Sequence, residues 1–106
     1  MYTRMMIMEA VSDNDVREIT NLLKEHIPVV SVFEGFSSAQ SQSEEAGHLV
    51  VFQTHWLTRE DCTRYHTTIH YRRLVNAVDH CLIGNPMMKM FTTVFLAADT
   101  VKAGAQ

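Results

Sequence analysis

The run RMMIMEAV (Arg4–Val11), the cluster SDND (Ser12–Asp15) and the segment VREITNLLKEHIP (Val16–Pro28) decide the fold. The first is a nearly continuous apolar stretch of strand length. The second offers side-chain oxygens to free backbone N–H groups and so starts a helix. In the third, Val16, Ile19, Leu22, Leu23 and Ile27 recur at helical spacing, with Glu18, Lys24 and Glu25 outside that stripe. Pro28 is expected to end the helix near His26–Ile27, because proline disfavours helical backbone in the residue before it. A β-α unit therefore opens the chain.

Outward from that unit, Val29 to Gln42 mixes β-branched and aromatic residues with serines, the mark of a half-exposed strand. Ser43–Gly47 is a turn. His48 to Trp56 reads as a third strand, with His48, Val50, Phe52, Thr54 and Trp56 on one face and large groups on the other. Thr58-Arg59-Glu60-Asp61 has the form of a helix start. The stripe Cys62, Tyr65, Ile69, Leu74, Val75, Val78, Cys81, Leu82 carries that helical segment to about Leu82, with a kink, or two helices end to end, expected near Tyr71–Arg73. Gly84 suits a left-handed cap, Met87 to Ala97 a last strand, and Asp99 to Gln106 a frayed tail. The methionines of the first and last strands place those two as neighbours at the sheet centre.

The order β-α-β-β-α-β is the ferredoxin-like, split βαβ arrangement, an α+β fold. Right-handed crossovers put both helices on one face of a four-stranded antiparallel sheet. The other face is left bare, and the apolar residues of the outer strands cannot all stay in water there. A homodimer through the sheet faces is expected.

The 106 residues make one domain, with its core at about 4–97. Such a chain buries roughly 65% of its unfolded surface, a thin core that a partner subunit would help. Hydrophobic residues at 46% and charged residues at 20% exclude disorder. A net charge of −3, with nine Lys and Arg against twelve Asp and Glu, leaves no basic surface for nucleic acid. No apolar run is long enough to span a membrane. The opening MYTRMMIMEA lacks a cleavage pattern, and two cysteines without CxxC spacing form no disulfide framework. A reduced, cytoplasmic location is expected.

The stretch Trp56-Leu57-Thr58-Arg59-Glu60-Asp61, then Tyr65-His66 and His70, carries the candidate chemistry. A strand ending in Trp, a Thr-x-x-Asp helix start, and His66 with His70 four residues on resemble the antibiotic biosynthesis monooxygenase family of dimeric α/β-barrel proteins. The element order agrees over roughly residues 4 to 97. The resemblance implies a pocket between helices and sheet, and an enzyme, a cofactor-independent monooxygenase acting on a small aromatic, quinol or polyketide-like substrate. A deprotonated phenol can itself donate an electron to O₂, so such a site needs a base, apolar walls and an oxyanion donor. On that reading His66 or His70 is the base and Tyr65 bonds the substrate oxygen. Trp56 or Phe52 stacks on its ring, Cys62 and Ile69 complete the wall, and Arg73 reaches a substrate carboxylate. Each also has a plainer reading: Trp56 and Tyr65 as core, the histidines and Arg73 as solvated helix face.

Other chemistries stand beside this one. Cys62, His66 and His70 at i, i+4, i+8 have metal-ligand types, but a straight ladder diverges too far to close on one ion, so no metal is expected. Heme-degrading relatives place an Asn on the first strand, a Trp on the second helix and a His ten residues on. Here the strand has no Asn, and the other positions hold Tyr65 and Val75. No cofactor is therefore expected, with heme or a divalent metal as the alternatives. A non-catalytic hydrophobic-ligand-binding dimer and an isomerase or cyclase on the same scaffold are the competing functions.

Overall fold

The computed structural model describes residues 1–97, so the expected tail from Asp99 to Gln106 lies outside the described residues. The elements are β1 (Tyr2–Glu9), α1 (Asp13–Val30), β2 (Phe36–Ser43), β3 (Leu49–Trp56), α2 (Arg59–His66), α3 (Ile69–Val78), a 3₁₀ turn (Asp79–Cys81) and β4 (Met87–Thr92). The strands form one open antiparallel sheet in the order β2-β3-β1-β4. This is the ferredoxin-like α+β arrangement with its second helical segment divided in two. β1 and β4 do pair, but β4 is an edge strand; the centre belongs to β1 and β3.

Cross-strand partners share a face. The pairs Tyr2↔Trp56, Arg4↔Thr54, Met6↔Phe52 and Met8↔Val50 line the face under the helices. Met6, Met8, Ala10, Val50 and Phe52 pack there with Ile19, Leu23, Leu74 and Val78 in one apolar cluster. Val30, Trp56, Cys62 and Tyr65 form a second. The row Arg4↔Thr54 crosses the sheet between the two. On the opposite face, Thr3, Met5 and Ile7 align with Phe91, Lys89 and Met87, and with His55, Gln53 and Val51. No described element covers that face.

Three boundaries differ from the sequence expectation, each for a physical reason. α1 runs through Pro28 to Val30. Proline forfeits one helical N–H, but Ser31 N still donates to Ile27 O at 3.0 Å, and Val30 is fully buried against Trp56 and Tyr65. Burial of that last turn outweighs the broken bond, and β2 starts later in consequence. The chain reverses through Gly35 at φ 81°, where a Cβ would stand 2.0 Å from the Asp61 carboxylate. The long second helix breaks at Thr67–Thr68, earlier than the kink expected at Tyr71–Arg73, because Thr68 caps a new helix by accepting from Tyr71 N. β4 ends at Thr92, and Thr93–Ala97 continues outside the strand.

α1 starts at Ser12, whose Oγ accepts from Asp15 N at 3.2 Å and donates to Asp15 Oδ2 at 2.7 Å. Ser12→Ala is expected to cost about 1 kcal/mol, read as a lower urea midpoint at unchanged slope.

Candidate functional site

β1 places Arg4 on the inward face, and the break between α2 and α3 brings three rings around it. The Arg4 guanidinium lies 5.4 Å from the Tyr71 ring centroid and Nη2 donates to the Tyr71 hydroxyl at 3.4 Å. Its Nε–H is buried and has no partner. Among the described residues no carboxylate pairs with it. The residue as a whole is half-buried, and a buried donor left spare on it is unusual, since such groups are costly unless paired.

His66 stands beside this cation, its ring 4.4 Å from Tyr71 and 4.8 Å from Tyr65. Nδ1 lies 2.6 Å from the Cys62 carbonyl, which can only accept, so the proton is on Nδ1 and Nε2 keeps its lone pair. Burial pushes the imidazole down to about 4, with the Arg4 charge and His26 adding to the shift and the carbonyl bond opposing it. His66 is therefore neutral at pH 7.

Tyr65 is fully buried, stacked on Trp56 at 5.2 Å, and its hydroxyl is hydrogen-bonded to His26 Nε2. Burial first, and Tyr71 next, hold that hydroxyl well above its ordinary range. Burial, with His70 nearby, lowers His26. A protonated phenol thus donates to a neutral imidazole.

Arg4, Phe52, Thr54, Tyr65, His66 and Tyr71 enclose a cavity of only about 10 Å³, room for about one water. On the other side of Phe52, α1 and β2 bound an open cleft of about 290 Å³ with Thr20, Lys24, Ile27, Ser41 and Ser43 in its walls. Phe52 is common to both. A third space, about 230 Å³ between α1 and α3, holds His26, His70 and Arg73.

The structure brings together Tyr65, His66 and Phe52 from the sequence-derived set. Trp56 and Cys62 lie wholly in the core behind them, and burial holds the Cys62 thiol up at about 11. His70 and Arg73 lie in the outer α1–α3 groove, and Ile69 is exposed. The Cys62–His66–His70 ladder is thereby dissolved: Cys62 Sγ is 3.5 Å from His66 Nδ1, but the break at Thr67–Thr68 carries His70 to Phe33 on another face. Sequence reading missed Arg4, Tyr71 and His26. Arg4 falls in the alternation Tyr2, Arg4, Met6, Met8 on the buried face, and His26 continues the stripe Ile19, Leu23, His26, Val30, so both were signalled by periodicity.

No protein-family model matches the chain, and no curated protein matches its sequence. Solved structures do. A monooxygenase from ActVA-Orf6 of Streptomyces coelicolor, in complex with nanaomycin D, superposes with a TM-score of 0.82 at 15% identity, covering 92% of this chain and 90% of that one. A variant of SnoaB, a cofactor-independent oxygenase from Streptomyces nogalater, gives 0.78 at 11%, covering 90% and 94%. An antibiotic biosynthesis monooxygenase gives 0.75 at 14%, covering 89% and 99%. The protomer fold is that of the antibiotic biosynthesis monooxygenase structures, as the resemblance implied. Among the described residues no helix is long and apolar enough to cross a membrane.

His66 and His26 both titrate below the ordinary imidazole value of 6.5, His66 at about 4. Between those pH values the unfolded chain binds more protons than the folded one, so stability falls as pH drops through the window. His66→Asn is expected to flatten the fall of the urea midpoint between pH 7 and 5. A slope identical to that of the unsubstituted protein would remove the depressed imidazole from the account.

Proposed function

We propose that the chain is a small cofactor-independent oxygenase that deprotonates a phenolic, quinol or polyketide-like aromatic molecule and lets O₂ react with the anion. The observation that carries the reading is the half-buried Arg4 side chain with its buried, unpartnered Nε–H. A partly desolvated cation with a free donor selects an oxyanion, and charge-assisted bonds are the strong ones. The His66 Nε2 lone pair is the acceptor for the substrate's O–H proton. Arg4 then holds the oxygen left behind, compensating for the weakness of the base.

The anion transfers electrons to O₂, a peroxide forms at carbon, and loss of water leaves a carbonyl: R₂CH₂ + O₂ → R₂C=O + H₂O. One oxygen atom stays on the product and the other leaves as water. The chain supplies deprotonation, orientation and a site shielded from solvent. The substrate body occupies the α1–β2 cleft, and turning of the Phe52 ring joins that cleft to the Arg4 cavity. Tyr65 and His26 connect the same cavity to the α1–α3 groove, a route by which a proton reaches the surface. Support from outside the chain is that one protein of this fold is a monooxygenase holding nanaomycin D and another is a cofactor-independent oxygenase.

A second reading, ligand binding without turnover, is favoured by the smallness of the Arg4 cavity, which takes no substrate until it opens. O₂ uptake with anthrones and dihydroxynaphthalenes separates the two. Arg4→Met and His66→Phe are expected to lower kcat/KM at least about 100-fold, the scale of losing an oxyanion donor, and Tyr65→Phe about tenfold. Anaerobic conversion would instead indicate an isomerase or cyclase. Saturable thermal stabilisation without O₂ uptake would indicate a binder, and full activity in Arg4→Met would overturn the site.

A homodimer through the bare sheet faces, in the cytoplasm, belongs to the same proposal. Met5, Ile7, Met87 and Phe91 share that face, and just beyond β4 Val94 and Phe95 are 95% and 83% exposed. These are large apolar groups to leave in water. Light scattering is expected to give twice the chain mass, and Ile7→Asp a folded monomer; a monomeric unsubstituted protein would remove the dimer.

A further inference from the structure

At the end of the sheet remote from Arg4, a second group of reactive side chains converges that the oxygenase reading does not use. Glu18 projects from the second turn of α1, and His80 and Cys81 lie in the 3₁₀ turn after α3. His80 Nε2 donates to Glu18 Oε1 at 2.9 Å and lies 3.5 Å from Cys81 Sγ. The carboxylate oxygen, the imidazole nitrogen and the sulfur all lie within 4.8 Å of one another. Cys81 is wholly buried while Glu18 and His80 are exposed, so the thiol forms a floor and the other two a mouth.

The backbone beneath this cluster is fixed. Val11 N donates to Cys81 O at 3.0 Å, Ile83 N to Glu9 O at 2.8 Å, and Ala10 bridges Leu82. The His80-Cys81 pair is thus tied to the end of β1, facing Glu18. A tetrahedral zinc ion with bonds of roughly 2.0–2.3 Å sets its ligand atoms about 3.3–3.8 Å apart, and the three atoms here, 2.9 and 3.5 Å apart in two pairs and all within 4.8 Å, bracket that spread.

We propose that Glu18, His80 and Cys81 form a zinc-binding site, with a water in the fourth position, that clips the first turns of α1 to the 3₁₀ turn. Thiolate, imidazole and carboxylate in a compact three-residue set favour Zn²⁺ over the harder Mg²⁺ and Ca²⁺, which take oxygen ligands. On binding, the ion replaces the thiol proton, which passes to solvent, and the imidazole proton moves from Nε2 to Nδ1. No electron is transferred. The clip is structural and lies apart from the Arg4 cavity, so it leaves the oxygenase reading untouched.

Titration of the metal-stripped full chain with Co²⁺ tests this, because cobalt reports thiolate ligation by a sulfur-to-metal charge-transfer band and tetrahedral geometry by its visible bands. Both are expected, with displacement by Zn²⁺, and excess Zn²⁺ should raise Tm by about 5 °C or more. Cys81→Ser should abolish the charge-transfer band, and Cys62→Ser should keep it. Since Cys81 is buried and its substitution can disturb packing, the exposed His80→Gln is the second variant, expected to weaken Zn²⁺ binding by at least about tenfold in a folded protein. Absence of the band, its survival in Cys81→Ser, its loss in Cys62→Ser, or unchanged affinity in His80→Gln would each overturn the site.

Discussion

A charged row, Arg4 against Thr54, crosses the sheet between two apolar clusters, and one end of the molecule is organised by the need to cover it. β1 is paired on both sides, so Arg4 has no open sheet edge beside it, and its side chain is half-buried with Nε wholly so. Even partial burial of such a cation is costly unless it finds partners. The Tyr71 ring and hydroxyl offset part of that, on the order of 0.5–2 kcal/mol for the ring. The break at Thr67–Thr68 makes this possible. On an unbroken helix Tyr65 and Tyr71 would point about 120° apart, at roughly 100° per residue, and could not both face Arg4. With the break, α2 delivers Tyr65 and His66, α3 delivers Tyr71, and the His66 and Tyr71 rings come within 4.4 Å.

That break also explains where the sequence was legible and where it was not. Element order, sheet pairing and the inward face of β3 follow from alternation and from the capping residues Ser12 and Thr58, signals that act over a few residues. The exit of α1 was not readable from Pro28, because the decision lay in the burial of Val30 against Trp56, a contact across the fold. His70 was assigned to the same face as His66 on the premise of one continuous helix. Thr68, with its side chain accepting from Tyr71 N, is a strong local cap hidden inside an apolar stripe that seemed to run on. Arg4 was visible as a residue but not as a site: an apolar run of eight was read for its length, and its alternation, which alone puts the charge inside, was left unused.

The superposed oxygenases share this chain's fold at 15% identity or less, and a shared fold of that kind does not transmit chemistry. What the fold does transmit is the scaffold. A sheet with helices on one face has its inward side chains in rows, and each row opens toward a helix boundary. In this chain one such row ends at the α2–α3 break with a cation, and the far end of the same strand meets the 3₁₀ turn. There the backbone bonds from Glu9, Ala10 and Val11 fix residues 81–83. The strand is held by backbone bonds at one end and surrounded by aromatic and imidazole rings at the other.

Electrostatics narrows what the Arg4 end can receive. The Arg4 charge, added to burial, keeps His66 neutral. A cationic ligand would bring a second positive charge to a guanidinium already short of acceptors, in a medium that screens poorly. A neutral ligand without an ionisable oxygen would leave the Nε–H unpaired and the Nε2 lone pair idle. A weakly acidic hydroxyl satisfies both, since proton transfer to His66 creates beside Arg4 the charge that the guanidinium lacks. In the proposed reaction the same cation that depresses the base stabilises the product of its action, so the two residues would work as one group. Removing either changes the pKa balance as well as the contact.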